Sequence, residues 1–533
     1  MKQRKYFDVN CTIGRKSKPD EDFPYLEKDL LDDMRYSRVH GAAVSSNESI
    51  DYCFISGDRK LAEITGTGKG GRLYGVATLP ATAVFESGDP EYLNKLFAAG
   101  IRGIRIAPSR FVCGSDPRDM EEIAEALIRR NLPLFYPSNE GFERLIPLLD
   151  AYKKLNVILL SSSWGTNRQL FPLLERYPAL HFEYSKNQAN DVLELTKKHF
   201  GIERVLFGTG WPYTSMAALK SLNEYAALSD EDKDAAAYKN ACRLLKIDPD
   251  ELTAYDDADC QYDDIAKAAD AGKPMPVPVI DAHTHMVPRE HKTTSGVLML
   301  NSSPEHMAEK FSRMGVKTAL TAPWEGICTD GMAGNEQILY AAKKFPGMFL
   351  GYNTCNVNYA DDLSGWRGYF DKYPGVFAGI KPYWPYQQFS LLNDSLRPWL
   401  EYADERGLLL LLHASSPERN GEAAELSERY KGITFILAHA GAEYRTAREH
   451  VKLIKARKNV VAEITFTSLT RGVMEYLVNE IGAEKVLYGS DAPMRDPSPQ
   501  LGWVAYAKIS YEDKCKILYK NIERLMSLNK NKK

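Results

Sequence analysis

No stretch of the 533 residues approaches the ~20 consecutive apolar positions of a membrane span, so no membrane partner is expected. Nor is there an excess of positive charge. With 68 Lys and Arg against 71 Asp and Glu, the net charge of -3 offers no basic field to a nucleic acid. The eight cysteines are scattered, without a CxxC pair or a tight framework, which points to reduced thiols and a cytoplasmic protein. The opening MKQRKYFDVNCTIG is charged and then polar, lacking the apolar run of a signal peptide. Disorder is excluded because 44% hydrophobic and 26% charged residues are globular proportions. What the chain does have is length. Single cores stop growing near roughly 250–300 residues, so two barrel-sized domains are expected.

Internal similarity divides the chain into two copies, about Lys5 to Ile247 and Val277 to Leu528. RVLFGTGWP (Arg204 to Pro212) matches KVLYGSDAP (Lys485 to Pro493), and YKNACRLL from Tyr238 matches YKNIERLM from Tyr519; both pairs are 281 residues apart. Three earlier matches share an offset of 276: Gly71 with Gly347, Gly103-Ile104-Arg105 with Gly379-Ile380-Lys381, and Gly165 with Gly441. In the second copy, eight short apolar runs (PVPVID, KTALTAP, MFLGYNT, FAGIKPY, LLLLLHA, TFILAHA, VVAEITF and KVLYGSD) alternate with charged stretches of helical spacing. Buried strands separated by helices predict a parallel sheet, and eight such units predict a (β/α)8 barrel. The fold class is therefore α/β, two tandem (β/α)8 TIM barrels. The expected division is 1–247 for the first barrel, 248–276 for a linker and 277–533 for the second. The linker, read as a surface connection or an arm packed across the barrels, carries eight acidic residues and no Lys or Arg between Asp248 and Asp264, then GKPMPVP. The C-terminal LNKNKK reads as a frayed tail.

In the second copy, residues with metal-ligand chemistry stand at the C-terminal ends of the predicted strands, where barrel enzymes place their sites. The first strand ends in His283 and His285, the fifth in His413, the sixth in His439 and the eighth in Asp491. On an extended segment i and i+2 point the same way, so both imidazoles of IDAHTH can face the mouth. Three imidazoles and a carboxylate suit zinc or a similar divalent ion and leave room for a water.

This set resembles the amidohydrolase superfamily, in its branch of metal-dependent hydrolases and decarboxylases. The resembling residues are the HxH of IDAHTH, His413 in LLHAS, His439 in LAHAG and Asp491 in YGSDAP, with the closing KNIERL helix. The resemblance implies one divalent ion, zinc or alternatively manganese, held by His283, His285, His413 and Asp491, with His439 beside it as proton shuttle or substrate-polarising group. The ion lowers the pKa of a water to roughly 7, and His439 and Asp491 are the expected catalytic pair. Lys381, ending the fourth strand, is either carboxylated between two metals or an unmodified amine facing substrate. Arg495, Arg445, Tyr383, Trp384 and Trp324 are the expected substrate contacts, Arg495 as a clamp for a carboxylate. Glu443 follows the sixth strand beside Arg445, and Glu463, within the seventh, is expected to pair with a Lys or Arg inside the barrel.

The first copy does not repeat the set. Asn10 and Thr12 stand opposite the two histidines, Pro137 opposite His413, Ser163 opposite His439, Gly210 opposite Asp491 and Arg105 opposite Lys381. It is expected either to serve as a structural partner, making the monomer a pseudo-dimer or part of a homo-oligomer, or to bind an anion through Arg102 and Arg105 near Trp164 and Trp211. The expected partner of the whole chain is a small-molecule substrate. The leading activity is hydrolysis of a small amide, lactone or ester. Decarboxylation of an aromatic or unsaturated acid is the alternative, and a non-catalytic scaffold is the rival from another class.

Overall fold

A computed structural model describes residues 4–66, 71–114, 116–255, 261–414 and 416–528. The middle of the expected linker and the end of the C-terminal tail lie outside these. The chain forms two compact units, Met1–Gln261 and Tyr262–Lys533.

The first unit contains β1 (Phe7–Ile13), β2 (Gly41–Ser46), β3 (Leu73–Gly75), β4 (Ala77–Leu79), β5 (Ile104–Ile106), β6 (Leu134–Pro137), β7 (Val157–Leu160), β8 (Leu180–Glu183) and β9 (Val205–Leu206). All pair in parallel with their sequence neighbours, except that β3 and β4 are two pieces of one strand interrupted at Val76. The ring closes where the Val9 amide donates to the Phe207 carbonyl at 3.0 Å. The second unit contains β10 (Val279–Thr284), β11 (Val316–Thr321), β12 (Phe349–Asn353), β13 (Phe377–Ile380), β14 (Leu409–Leu412), β15 (Thr434–Leu437), β16 (Val460–Glu463) and β17 (Val486–Leu487), again in sequential parallel order. Here the Ala282 amide closes the ring on the Tyr488 carbonyl at 3.0 Å. Each unit is a (β/α)8 barrel.

The eight apolar runs read from the second copy are its eight strands. LLLL of β14 is buried on every side, as a strand between a filled barrel and an outer helix layer must be. The core of this barrel joins Ile280, Leu320, Tyr352, Leu411, Ile436 and Leu487 to Ile522 and Leu525 of the closing helix. In the first barrel Phe7, Phe135, Ile158 and Leu206 meet Leu244, Leu245 and Leu252. Leu252 thus belongs to a core, although the sequence placed it in a linker. The same segment holds a second departure: Asp264–Asp270 is a helix, capped by the Asp263 carboxylate accepting from the Ala266 amide at 2.8 Å. Its Ile265 and Ala269 are buried in the second unit. No helix among the described residues is long and apolar enough to cross a membrane.

Candidate metal centre

Asp281 builds the floor of the site. Its Oδ1 accepts the amides of His283 and Ser490, each at 3.1 Å, which ties the end of β10 to the loop after β17. His283 and His285 therefore meet Asp491, with Asp491 Oδ1 lying 2.9 Å from His285 Nε2 and 3.6 Å from His283 Nε2. The outer ring nitrogens are engaged away from that centre. His285 Nδ1 donates to the Ala322 carbonyl at 2.7 Å, and His283 Nδ1 donates to Glu463 Oε2 at 2.9 Å. Each imidazole consequently presents a bare Nε2 inward, the tautomer that a metal requires. One ligand atom each from His283, His285 and Asp491 lies within 4.8 Å of the others, a group of a size to hold an ion.

His439 and His413 form a second pair alongside. His439 Nδ1 bonds the Thr465 carbonyl at 3.0 Å, and its Nε2 faces His413 Nδ1 at 3.1 Å. With its own proton on Nδ1, His439 accepts there, so His413 carries its proton on Nδ1 and keeps Nε2 bare. His413 thus sits next to His439 rather than inside the tight group of three. The His439 and His283 rings are 5.3 Å apart between centroids. Burial, reinforced by the Lys381 cation, holds His283 well below the usual imidazole range. Burial also depresses His439, and it brings His413 to about 4. All three are neutral near pH 7. Burial would raise Asp491, but the Arg495 guanidinium outweighs it and holds the carboxyl well below its ordinary value.

His439 and Asp491 both have left-handed backbones, with φ of 66° and 59°. Such strain in non-glycine residues persists where surrounding structure enforces it, and it gathers at functional sites.

The other expected residues divide. Lys381 is buried with Nζ 3.3 Å from His283 Nε2, and burial lowers it to about 8. Arg495 is buried with its guanidinium on Asp491 Oδ2 at 2.5 Å. Trp324 packs edge-on against His285 at 5.6 Å, and Tyr383 against His413 at 5.7 Å. Trp384 donates to the His413 carbonyl at 2.8 Å. Arg445 is not brought to the site: it stands 86% exposed and paired with Glu443, because the helix Tyr444–Ala456 begins one residue earlier and turns it to solvent.

Glu463 was expected to pair with a Lys or Arg, and instead it buttresses the centre. Besides His283 Nδ1, it accepts the Thr465 amide at 2.6 Å and the His439 amide at 3.4 Å. An acid within an otherwise apolar strand run was its only signal in the sequence.

The first barrel keeps this frame without the ligands. Asp8 Oδ1 accepts the amides of Asn10 and Thr209 as Asp281 accepts those of His283 and Ser490. Asn10 Nδ2 donates to Glu183 Oε1 at 2.9 Å, in the place of His283 on Glu463. The ladders correct one correspondence. Leu159 pairs with Phe182, just before Glu183, and Leu437 pairs with Ala462, just before Glu463. Ser161, not Ser163, therefore stands opposite His439. Its amide donates to Glu183 as that of His439 does to Glu463, and its φ of 54° is likewise left-handed.

A (β/α)8 barrel with convergent imidazoles and a carboxylate at the C-terminal strand ends defines a class of metal-dependent enzymes. The family model described as Amidohydrolase matches residues 15–247 and 280–528, and the chain belongs to the amidohydrolase family. It is thus a metal-dependent enzyme of that superfamily. None of the curated proteins matches the chain. Among solved structures it is similar to 5-carboxyvanillate decarboxylase from Novosphingobium aromaticivorans, complexed with manganese and 4-hydroxy-3-methoxy-5-nitrobenzoic acid. There the identity is 14%, the match covers 48% of this chain and 98% of that one, and the TM-score is 0.40. It is also similar to 2,6-dihydroxybenzoate decarboxylase from Rhizobium, at 14% identity over 47% of this chain and 99% of that one, TM-score 0.37. A dihydroxybenzoic acid decarboxylase from Polaromonas sp. JS666, with manganese and 2-nitroresorcinol, gives 15%, 47%, 97% and 0.35.

Proposed function

We propose that the second barrel, from 277 onward, is a hydrolase of a small carbonyl compound (an amide, lactone or ester) and that His283, His285, His413 and Asp491 hold its metal. The observation that carries this reading is the pair of outward-tied imidazoles whose bare Nε2 atoms meet the Asp491 carboxylate. Neutral nitrogen and anionic oxygen donors fit zinc or manganese. A divalent ion held there supplies Lewis acidity and makes a water acidic near neutral pH. His439, neutral and with Nδ1 anchored, takes a water's proton at Nε2 once its contact with His413 Nδ1 is given up, and returns one to the leaving group. Asp491, kept ionised by Arg495, orients that water from its free lone pairs. Lys381 remains an unmodified amine facing the substrate. Trp324, Tyr383 and Trp384 wall the site and exclude bulk water.

Glu463→Gln keeps the shape but removes the charge from behind His283. It is expected to weaken divalent-ion binding by about 10–100-fold, read by competition with a chelator, while the folded melting transition is retained. Unchanged affinity would show that Glu463 only braces the backbone.

A second reading, decarboxylation of an aromatic or unsaturated acid, is favoured by two buried cations, Lys381 and Arg495, which suit a carboxylate substrate. A panel of lactones, esters, amides and aromatic acids in 18O-water separates the two. The hydrolase releases an acid carrying one solvent oxygen and no carbon dioxide. Carbon dioxide release without solvent oxygen in the organic product overturns the first reading in favour of the second.

A further inference from the structure

Two buried donors hold the backbone from which His413 projects. The ladder between β14 and β15 ends where Leu412 pairs with Leu437, so the carbonyls of His413 and Ala414 lie beyond it. Side chains meet both. From the helix after β13 (Trp384–Gln387), the Trp384 indole donates to the His413 carbonyl at 2.8 Å. From the helix after β15 (Tyr444–Ala456), His450 Nε2 meets the Ala414 carbonyl at 2.7 Å. A carbonyl only accepts, so this nitrogen carries the His450 proton.

His450 is fully buried and takes no part in the chemistry described above. Burial brings it to about 4, so near pH 7 its Nδ1 is bare, and that atom has no partner among the described residues. An unpaired buried acceptor costs stability that an apolar side chain of similar size would keep. Packing alone therefore does not account for a histidine at this position. The bond to Ala414 does.

The first barrel supplies the comparison. Its helix Asn167–Arg176 ends 280 residues before Ala456, the same separation as Glu183 from Glu463. In that register its buried Asn167, Leu170 and Leu174 fall on buried Ala447, His450 and Ile454. A leucine thus stands opposite His450. Pro108, first in the helix Pro108–Phe111, stands opposite Trp384, and Pro137 stands opposite His413. Neither Leu170 nor Pro108 has a side-chain donor. Ser138, opposite Ala414, gives its carbonyl to the Gly141 amide of its own turn at 3.1 Å. The frame acids Asp8 and Glu183 persist in the copy without ligands, whereas both donors are gone together with the histidine they serve. A device needed only for the fold would have persisted with the frame.

The His413 ring reaches out through two rotatable bonds, so the peptide planes at 413 and 414 decide where its Nε2 lands. A binding constellation works only when its groups are held within about 0.5 Å. We propose that His450 is a positioning residue for metal binding: by holding the Ala414 carbonyl it fixes the backbone of His413, and with it the reach of that imidazole toward His283, His285 and Asp491. The inference rests on His413 belonging to the ligand set.

The test is competition between a chelator and the full-length protein for whichever of Zn²⁺ and Mn²⁺ the parent holds more tightly, with melting of the metal-free proteins showing that each variant is folded. His450→Leu installs the side chain of the first barrel and is expected to weaken binding by about tenfold or more. His450→Gln, whose amide nitrogen reaches as far as Nε2, recovers most of that affinity. In a His413→Ala background, His450→Leu costs nothing further, because the ring it acts through is gone. Should His450→Leu fail to fold, His450→Asn, too short to reach Ala414, takes its place. The inference is overturned by parental affinity in His450→Leu, by no recovery in His450→Gln, or by an equal further loss in the His413→Ala background; in each case the ligand set stands if His413→Ala alone weakens binding. Parental affinity in His413→Ala alone removes His413 from that set, and the positioning role falls with it.

Discussion

Replacing Asp491 with alanine is expected to take turnover below detection and to weaken divalent-ion binding by more than about 100-fold, beyond what loss of an outer partner costs. The Asp491 carboxylate is the anionic donor of the tight group and reaches both inward nitrogens, 2.9 Å from His285 Nε2 and 3.6 Å from His283 Nε2. Without it, neutral imidazoles alone are left to hold a doubly charged ion beside the cations Lys381 and Arg495. The substitution also strips Arg495 of its partner, so destabilisation has to be separated from metal loss. His285→Ala does this: it leaves the Arg495–Asp491 pair intact and is expected to lose the ion as well. Metal content after dialysis, with kcat/KM on the same samples, checks both variants. A parental metal content and rate in either one would remove that residue from the ligand set.

The fold was legible because its period is. Eight apolar runs in the second copy became β10 to β17, and the histidines and Asp491 sit where those runs stop, so order along the chain translated directly into a ring of strand ends. What escaped depends on side-chain direction or on register, which no run of letters specifies. Glu463 looks like a lone acid in VVAEITF, and whether such a group meets a lysine, an arginine or an imidazole is decided by neighbouring strands 24 to 180 residues away in sequence. Arg445 follows the sixth strand closely, but one turn of backbone aims it at solvent. The offset of 276 residues held at Pro137 and Arg105 but not at Ser161, since β7 ends two residues earlier than the shared glycine implied. The acidic segment concealed a helix because DIAKAAD has helical spacing and a good cap but little apolar surface.

His439→Asn is expected to retain the metal, and to lower kcat by about 10²–10⁴-fold with KM little changed, the range general acid–base groups contribute. Asparagine is the informative replacement because residue 439 sits at φ 66°, a left-handed conformation that Asn tolerates better than most side chains. The backbone contact to Glu463 is thus preserved, and an amide fills much of the imidazole's volume. What disappears is a group that can gain and release a proton near neutral pH. In the parent, the Thr465 carbonyl fixes the proton on Nδ1 and burial keeps Nε2 bare, so the ring waits in its accepting form. His413 loses the acceptor for its Nδ1–H but keeps a neutral ring with Nε2 free, and metal content should therefore hold at one ion. Rate and metal measured together divide the outcomes. A full rate would show that the proton moves through another group, with Asp491 the next candidate. Loss of one ion out of two would instead make His439 a ligand and put Lys381 between the metals.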